Sequence, residues 1–101
     1  MRIGVRDLRS GTTRELTVGD AATIGSAADR DVRLSGQGVL AEHAVLSRIG
    51  HHVAVVLHAG GDAYAHGVEL APERPVILDE QELVIGSWAL RVLSAAGSSP
   101  G

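Results

Sequence analysis

The chain has 101 residues, no cysteine and a formal net charge of −3, nine arginines standing against twelve acids. With 45% hydrophobic and 21% charged residues it reads as one globular domain, which excludes disorder over its bulk, and the missing cysteines exclude disulfides and thiolate metal sites. The acidic balance argues against a nucleic-acid partner, and no apolar run reaches the roughly 20 residues that a membrane-spanning helix needs.

The apolar residues recur with a period of two in short runs. Met1, Ile3 and Val5 alternate with Arg2, Gly4 and Arg6, and Leu16 and Val18 flank Thr17. Val53, Val55 and Leu57 alternate with His52, Ala54, Val56 and His58; Leu83 and Ile85 flank Val84, and Leu90 and Val92 flank Arg91. This is the pattern of half-buried strands. Gly and Pro clusters separate the runs at Ser10-Gly11, Gly19-Asp20, Gly36-Gln37-Gly38, Gly60-Gly61-Asp62 and Pro72-Glu73-Arg74-Pro75, and many short strands between turns predict an all-β sandwich or barrel. Residues 38–48 are the best helix candidate, but they lack a polar face, and their second half reads as a strand. Tyr64 and Trp88 are the only aromatic residues, so the core must be filled by Val, Leu, Ile and Ala. The N-terminus carries no secretory signal, and a cytoplasmic location is expected. Residues 95–101 are small and polar and read as a flexible tail or linker, which leaves 1–94 as the folded domain and suggests the N-terminal part of a longer protein. All-arginine usage with much Ala, Gly and Val suggests a GC-rich bacterial source.

Four ordered stretches carry a more specific pattern. They are Thr23-Ile24-Gly25-Ser26 with Asp31-Val32-Arg33-Leu34, then Leu40-Ala41-Glu42-His43-Ala44, then Gly61-Asp62-Ala63-Tyr64-Ala65-His66-Gly67, and finally the run from Val76 to Ile85-Gly86. Together they resemble the forkhead-associated (FHA) domain, a β-sandwich that recognises phosphothreonine peptides. The resemblance covers roughly residues 2–94 and runs without a gap from Gly25 through His43. It implies an FHA-like sandwich of about eleven short strands. It also implies scaffold roles for Gly25, Asp31, His43 and Gly67, with His43 bracing the loops by hydrogen bonds. The phosphate-binding positions depart from the family pattern. Ser26 stands where the family has its first arginine, Leu40 where it has serine, Ala41 where a second arginine follows, Gly61-Asp62-Ala63 in place of Asn-Gly-Thr, and His66 where an asparagine holds the ligand main chain.

No local pattern of catalysis accompanies these residues. There is no Gly-x-Ser-x-Gly, P-loop or paired-acid motif, and His52 and His58 would stand about 20 Å apart along one strand, too far to share an ion. We therefore expect no enzyme activity, no cofactor and no metal. The expected role is a protein-interaction module that does not depend on phosphothreonine, with a partner surface on the loops at 25–31, 36–43 and 60–67. Ser26, Arg30, Leu40, Ala41, Glu42, Gly61, Asp62, Tyr64 and His66 are its candidate contacts. Arg30 reads as a solvated charge beside Asp29 and Asp31, and Arg33 and Arg48 as strand-edge or solvent-face charges. Leu40 and Tyr64 are left open between exposure and packing under their loops, and Trp88 reads as a packing residue. One alternative is a phosphothreonine reader with donors relocated to Ser26, Arg30 and His66; another is a self-assembling domain that forms homo-oligomers. Neither nucleic acid nor membrane contact is expected.

Overall fold

The alternating runs become strands, and their inward-facing side chains meet in one core. In chain order the strands are β1 (Arg2–Asp7), β2 (Thr13–Thr17), β3 (Ala21–Gly25), β4 (Val32–Arg33), β5 (Ala44–Ile49), β6 (His52–Leu57), β7 (Tyr64–Ala65), β8 (Val68–Glu69), β9 (Val76–Ile77), β10 (Glu82–Ile85) and β11 (Trp88–Ser94). They are seen in a computed structural model that describes residues 1–36, 38–65, 67–78 and 81–94, and no helix occurs among those residues. The 95–101 tail and His66 lie outside the described residues.

Two sheets form, with strand orders β2-β1-β11-β10-β7-β8 and β4-β3-β5-β6-β9. All pairings are antiparallel except β3 with β4. The register places like with like on the inner faces. Ile3 opposes Val92 and Val5 opposes Leu90 in the first sheet. Ile24 opposes Ala44 and Leu46 opposes Val55 in the second. These residues belong to a single buried cluster, so the sheets pack face to face as a sandwich. Each fully buried aliphatic side chain is worth about 1.5–3 kcal/mol, so this core closes without a large aromatic anchor.

The helix candidate at 38–48 divides: residues 38–43 are loop, and the strand β5 begins at Ala44. Strand β6 is more buried than simple alternation predicts. Ala54 lies on the outer face yet is buried, because its small side chain sits between Ser47 of β5 and Ile77 of β9. Arg48 is half-buried and paired, its Nε donating to the Asp20 carboxylate at 3.0 Å while its backbone N–H donates to the Asp20 carbonyl at 2.7 Å. The pair ties the β2–β3 turn to β5. That hydrogen bond and the guanidinium charge hold the Asp20 carboxyl below the usual aspartate range.

The end of β3, the start of β5, the end of β6 and the start of β7 fall together. Their connections therefore gather at one end of the sandwich, where the candidate contacts lie.

Candidate functional site

The loop end is built on a close backbone approach. At Gly25 a Cβ would stand 2.0 Å from the carbonyl oxygen of Ala41, so only glycine lets the end of β3 lie against the 40–41 segment. The approach is fixed by hydrogen bonds, Ser26 N–H donating to the Leu40 carbonyl at 2.9 Å and His43 N–H to the Ile24 carbonyl at 2.8 Å. Leu34 N–H donates to the Gly25 carbonyl at 2.9 Å, which brings the start of the β4–β5 loop onto the same anchor.

His43 links the second and third loops. It is fully buried, at 0% exposure. Its Nδ1 accepts the Leu40 N–H at 3.1 Å. A backbone N–H can only donate, so the ring proton sits on Nε2, which donates to the Asp62 carbonyl at 2.8 Å. Gly61 lies against the ring, where an added Cβ would stand 3.2 Å from Nε2. The His43 carbonyl accepts the His58 N–H at 2.9 Å, which closes the third loop onto β5. A buried side chain with both ring nitrogens satisfied gives the loops one arrangement rather than several.

Asp31 braces the first loop. Its carboxylate accepts the Thr23 N–H at 3.1 Å, and its own N–H donates to Thr23 Oγ1 at 3.1 Å. Gly67 is exposed in the turn between β7 and β8.

The braced backbone presents a mixed surface. Leu40 is 37% exposed, and a Cβ added at Gly60 across the loops would stand 3.8 Å from its Cδ1. Tyr64 is 47% exposed, while Ala41, Glu42 and Asp62 are exposed beside them and Ser26 is half-buried. Arg30 differs from the solvated charge expected of it. Its side chain is only 17% exposed, bonded through Nε and Nη2 to Asp29 at 3.1 and 3.0 Å and lying 3.7 Å from the Glu42 carboxylate. One guanidinium is thus held between two carboxylates from two loops. Ser26, Arg30, Leu40, Ala41, Glu42, Gly61 and Asp62 are drawn together by these contacts, and Tyr64 stands at the start of β7 beyond them. Among the described residues no cluster of three or more His, Asp or Glu is placed to hold a metal ion.

Two arginines not proposed for the partner surface reach its border. Arg33 Nε donates to the Ser26 carbonyl at 3.3 Å, and Arg14 Nη2 donates to the Arg33 carbonyl at 2.9 Å. The sequence signal for Arg14 is its parity. It shares a strand face with Leu16 and pairs with the core residue Val5, so a guanidinium stands on the inner side of an edge strand. Trp88 is half-buried against the core, and its indole N–H donates to the Ser35 carbonyl at 2.8 Å.

No family model matches the sequence, and no curated protein matches it. Solved structures do match. EmbR of Mycobacterium tuberculosis, solved with a low-affinity phosphopeptide, is 20% identical with a TM-score of 0.72, over 99% of this chain and 26% of EmbR. This chain therefore spans about a quarter of the length of EmbR. The FHA domain of an Arabidopsis thaliana hypothetical protein is 17% identical with a TM-score of 0.73, over 99% of this chain and 91% of that one. The N-terminal FHA domain of Rad53 from S. cerevisiae, solved with a phosphothreonine peptide, is 12% identical with a TM-score of 0.72, over 90% and 91% of the two chains. With eleven strands in two sheets among its described residues, the chain has the fold of the forkhead-associated domain.

Proposed function

We propose that this chain is a non-catalytic protein-interaction module whose loop end binds a protein partner without requiring phosphothreonine. The fold supports an interaction role, since EmbR and Rad53 share it and were solved with phosphopeptides. The observation that carries the independence from phosphate is Arg30, whose guanidinium is already held by Asp29 and Glu42. A phosphate dianion arriving there meets two carboxylates beside one cation. The resemblance places the family's phosphate donors at Ser26, Leu40 and Ala41, which offer one hydroxyl and two apolar side chains. Charge-assisted hydrogen bonds contribute about 1.5–3 kcal/mol each, so the loss of two corresponds to roughly 10²–10⁴ in affinity. What remains is a rigid loop platform with Leu40 and Tyr64 as apolar contacts and Glu42 and Asp62 as polar ones. Rigid loops on a sandwich are well suited to partner selection because little order is lost on binding.

The test is a titration against a degenerate phosphothreonine peptide pool and its unphosphorylated twin, read by anisotropy. Equal response to both pools is expected. Binding that needs the phosphate and is tighter than about 100 μM, near −5.5 kcal/mol, would overturn the reading in favour of relocated donors.

A further inference from the structure

We propose that the corner cleft between the β2 and β4 edges is a second interaction surface, one that takes an extended acidic segment of a protein partner. Two depressions of about 300 Å³ each share the walls Arg14 and Trp88. One is completed by Arg33 and Ser35, the other by Val5, Asp7, Ser10 and Thr12. Because they share Arg14 and Trp88 the two depressions adjoin, and an occupant of both would be a length of chain rather than a compact ligand.

The charge of the trough decides what it takes. Arg2, Arg6, Arg30 and Arg48 each face a carboxylate. Among the described residues Arg14 and Arg33 instead donate only to backbone carbonyls, those of Arg33 and Ser26 respectively. A guanidinium has five N–H donors, so both retain most of their donors and their full charge for an incoming acid. Carboxylates are met by planar forks in the fixed geometry that arginine provides. Trp88 is anchored by its bond to Ser35 and offers its half-buried ring to an apolar stem between the acids. The far end of the trough holds Asp7 with the hydroxyls of Ser10 and Thr12, so the charge runs from positive to negative along it. That gradient gives the bound segment a direction, its acids over Arg14 and Arg33. The net charge of −3 argues against a nucleic-acid occupant.

The inference does not depend on the loop end being indifferent to phosphate. Trp88 is the sole tryptophan and lines both depressions, so its fluorescence reports from this cleft. The probe is a hexaglutamate peptide, with hexalysine, a neutral Gly-Ser peptide and sodium acetate at matched ionic strength beside it. Hexaglutamate is expected to shift the Trp88 emission saturably, and the others are not. The double variant Arg14→Gln, Arg33→Gln is expected to weaken that response by roughly tenfold, while Arg74→Gln, in the exposed turn before β9, leaves it unchanged. Both variants change surface side chains, and their amide spectra check that the sandwich is retained. No emission change, an equal change with acetate, or an equal loss in Arg74→Gln would overturn the proposal.

Discussion

The loop end and the β2–β4 corner both carry guanidinium groups, and the two regions treat them in opposite ways. At the loop end Arg30 is gripped by Asp29 and Glu42 and is largely withdrawn from solvent. At the corner Arg14 and Arg33 donate to backbone carbonyls, with no carboxylate partner among the described residues. The same residue type therefore presents a neutralised surface in one place and a cationic one in the other. What separates them is the side chains that the neighbouring loop brings within reach. The acidic partner proposed for the corner is matched to guanidinium groups bonded to carbonyls rather than to a guanidinium held by carboxylates.

The comparison can be broken most forcefully by rebuilding the loop end. Ser26→Arg, Leu40→Ser and Ala41→Arg together restore the donors that the resemblance places there. Phosphothreonine-dependent binding should then rise by roughly 10² or more over the unmodified chain in a peptide titration. Gly25→Ala attacks the platform itself. Its Cβ would sit 2.0 Å from the Ala41 carbonyl oxygen, so a loss of about 3 kcal/mol is expected in urea unfolding, because backbone must move. His43→Ala removes both ring bonds and leaves the Leu40 N–H and the Asp62 carbonyl without their partner. About 2 kcal/mol of stability should go, with faster amide exchange at Leu40 than at Trp88.

Smaller changes sharpen the electrostatic contrast. Asp29→Asn with Glu42→Gln releases Arg30, and affinity for a phosphothreonine peptide should rise by less than about tenfold, since both carboxylates are solvent-exposed and their pull on Arg30 is screened. The slightest effect is expected at Asp20, whose carboxyl Arg48 holds below its ordinary value by a hydrogen bond and by charge. A carboxyl depressed in the folded state adds stability above the unfolded value of about 3.9, and that stability is lost as pH falls through the folded value. Asp20→Asn should lower the thermal midpoint slightly at neutral pH and leave it unchanged below the folded value, so the acid limb of a thermal unfolding profile flattens.

The longer strands were legible because their apolar residues alternate: β1, β6, β10 and β11 follow directly from Ile3 and Val5, Val53 to Leu57, Leu83 and Ile85, and Leu90 and Val92. Two-residue strands such as β4, β7, β8 and β9 are too short to show a period, and the family resemblance implied only a sandwich of about eleven strands, not their order. The site was harder to read. Arg30 and Glu42 come from different loops, and Trp88 meets Ser35 across 53 positions. Such pairs depend on how the sheets close, which local patterning does not encode. Arg14 alone left a trace, because its parity matches Leu16 on a strand whose other face is polar.

The most direct measurement of the loop-end claim is the Arg30 side-chain Nε–H resonance in a nitrogen-15 spectrum. It would be followed as a phosphothreonine peptide is added to millimolar concentration at constant ionic strength. A guanidinium held by Asp29 and Glu42 predicts a resonance that stays in place. A saturating shift at Arg30, absent with the unphosphorylated peptide, would contradict it and return the loop end to the recognition of phosphate.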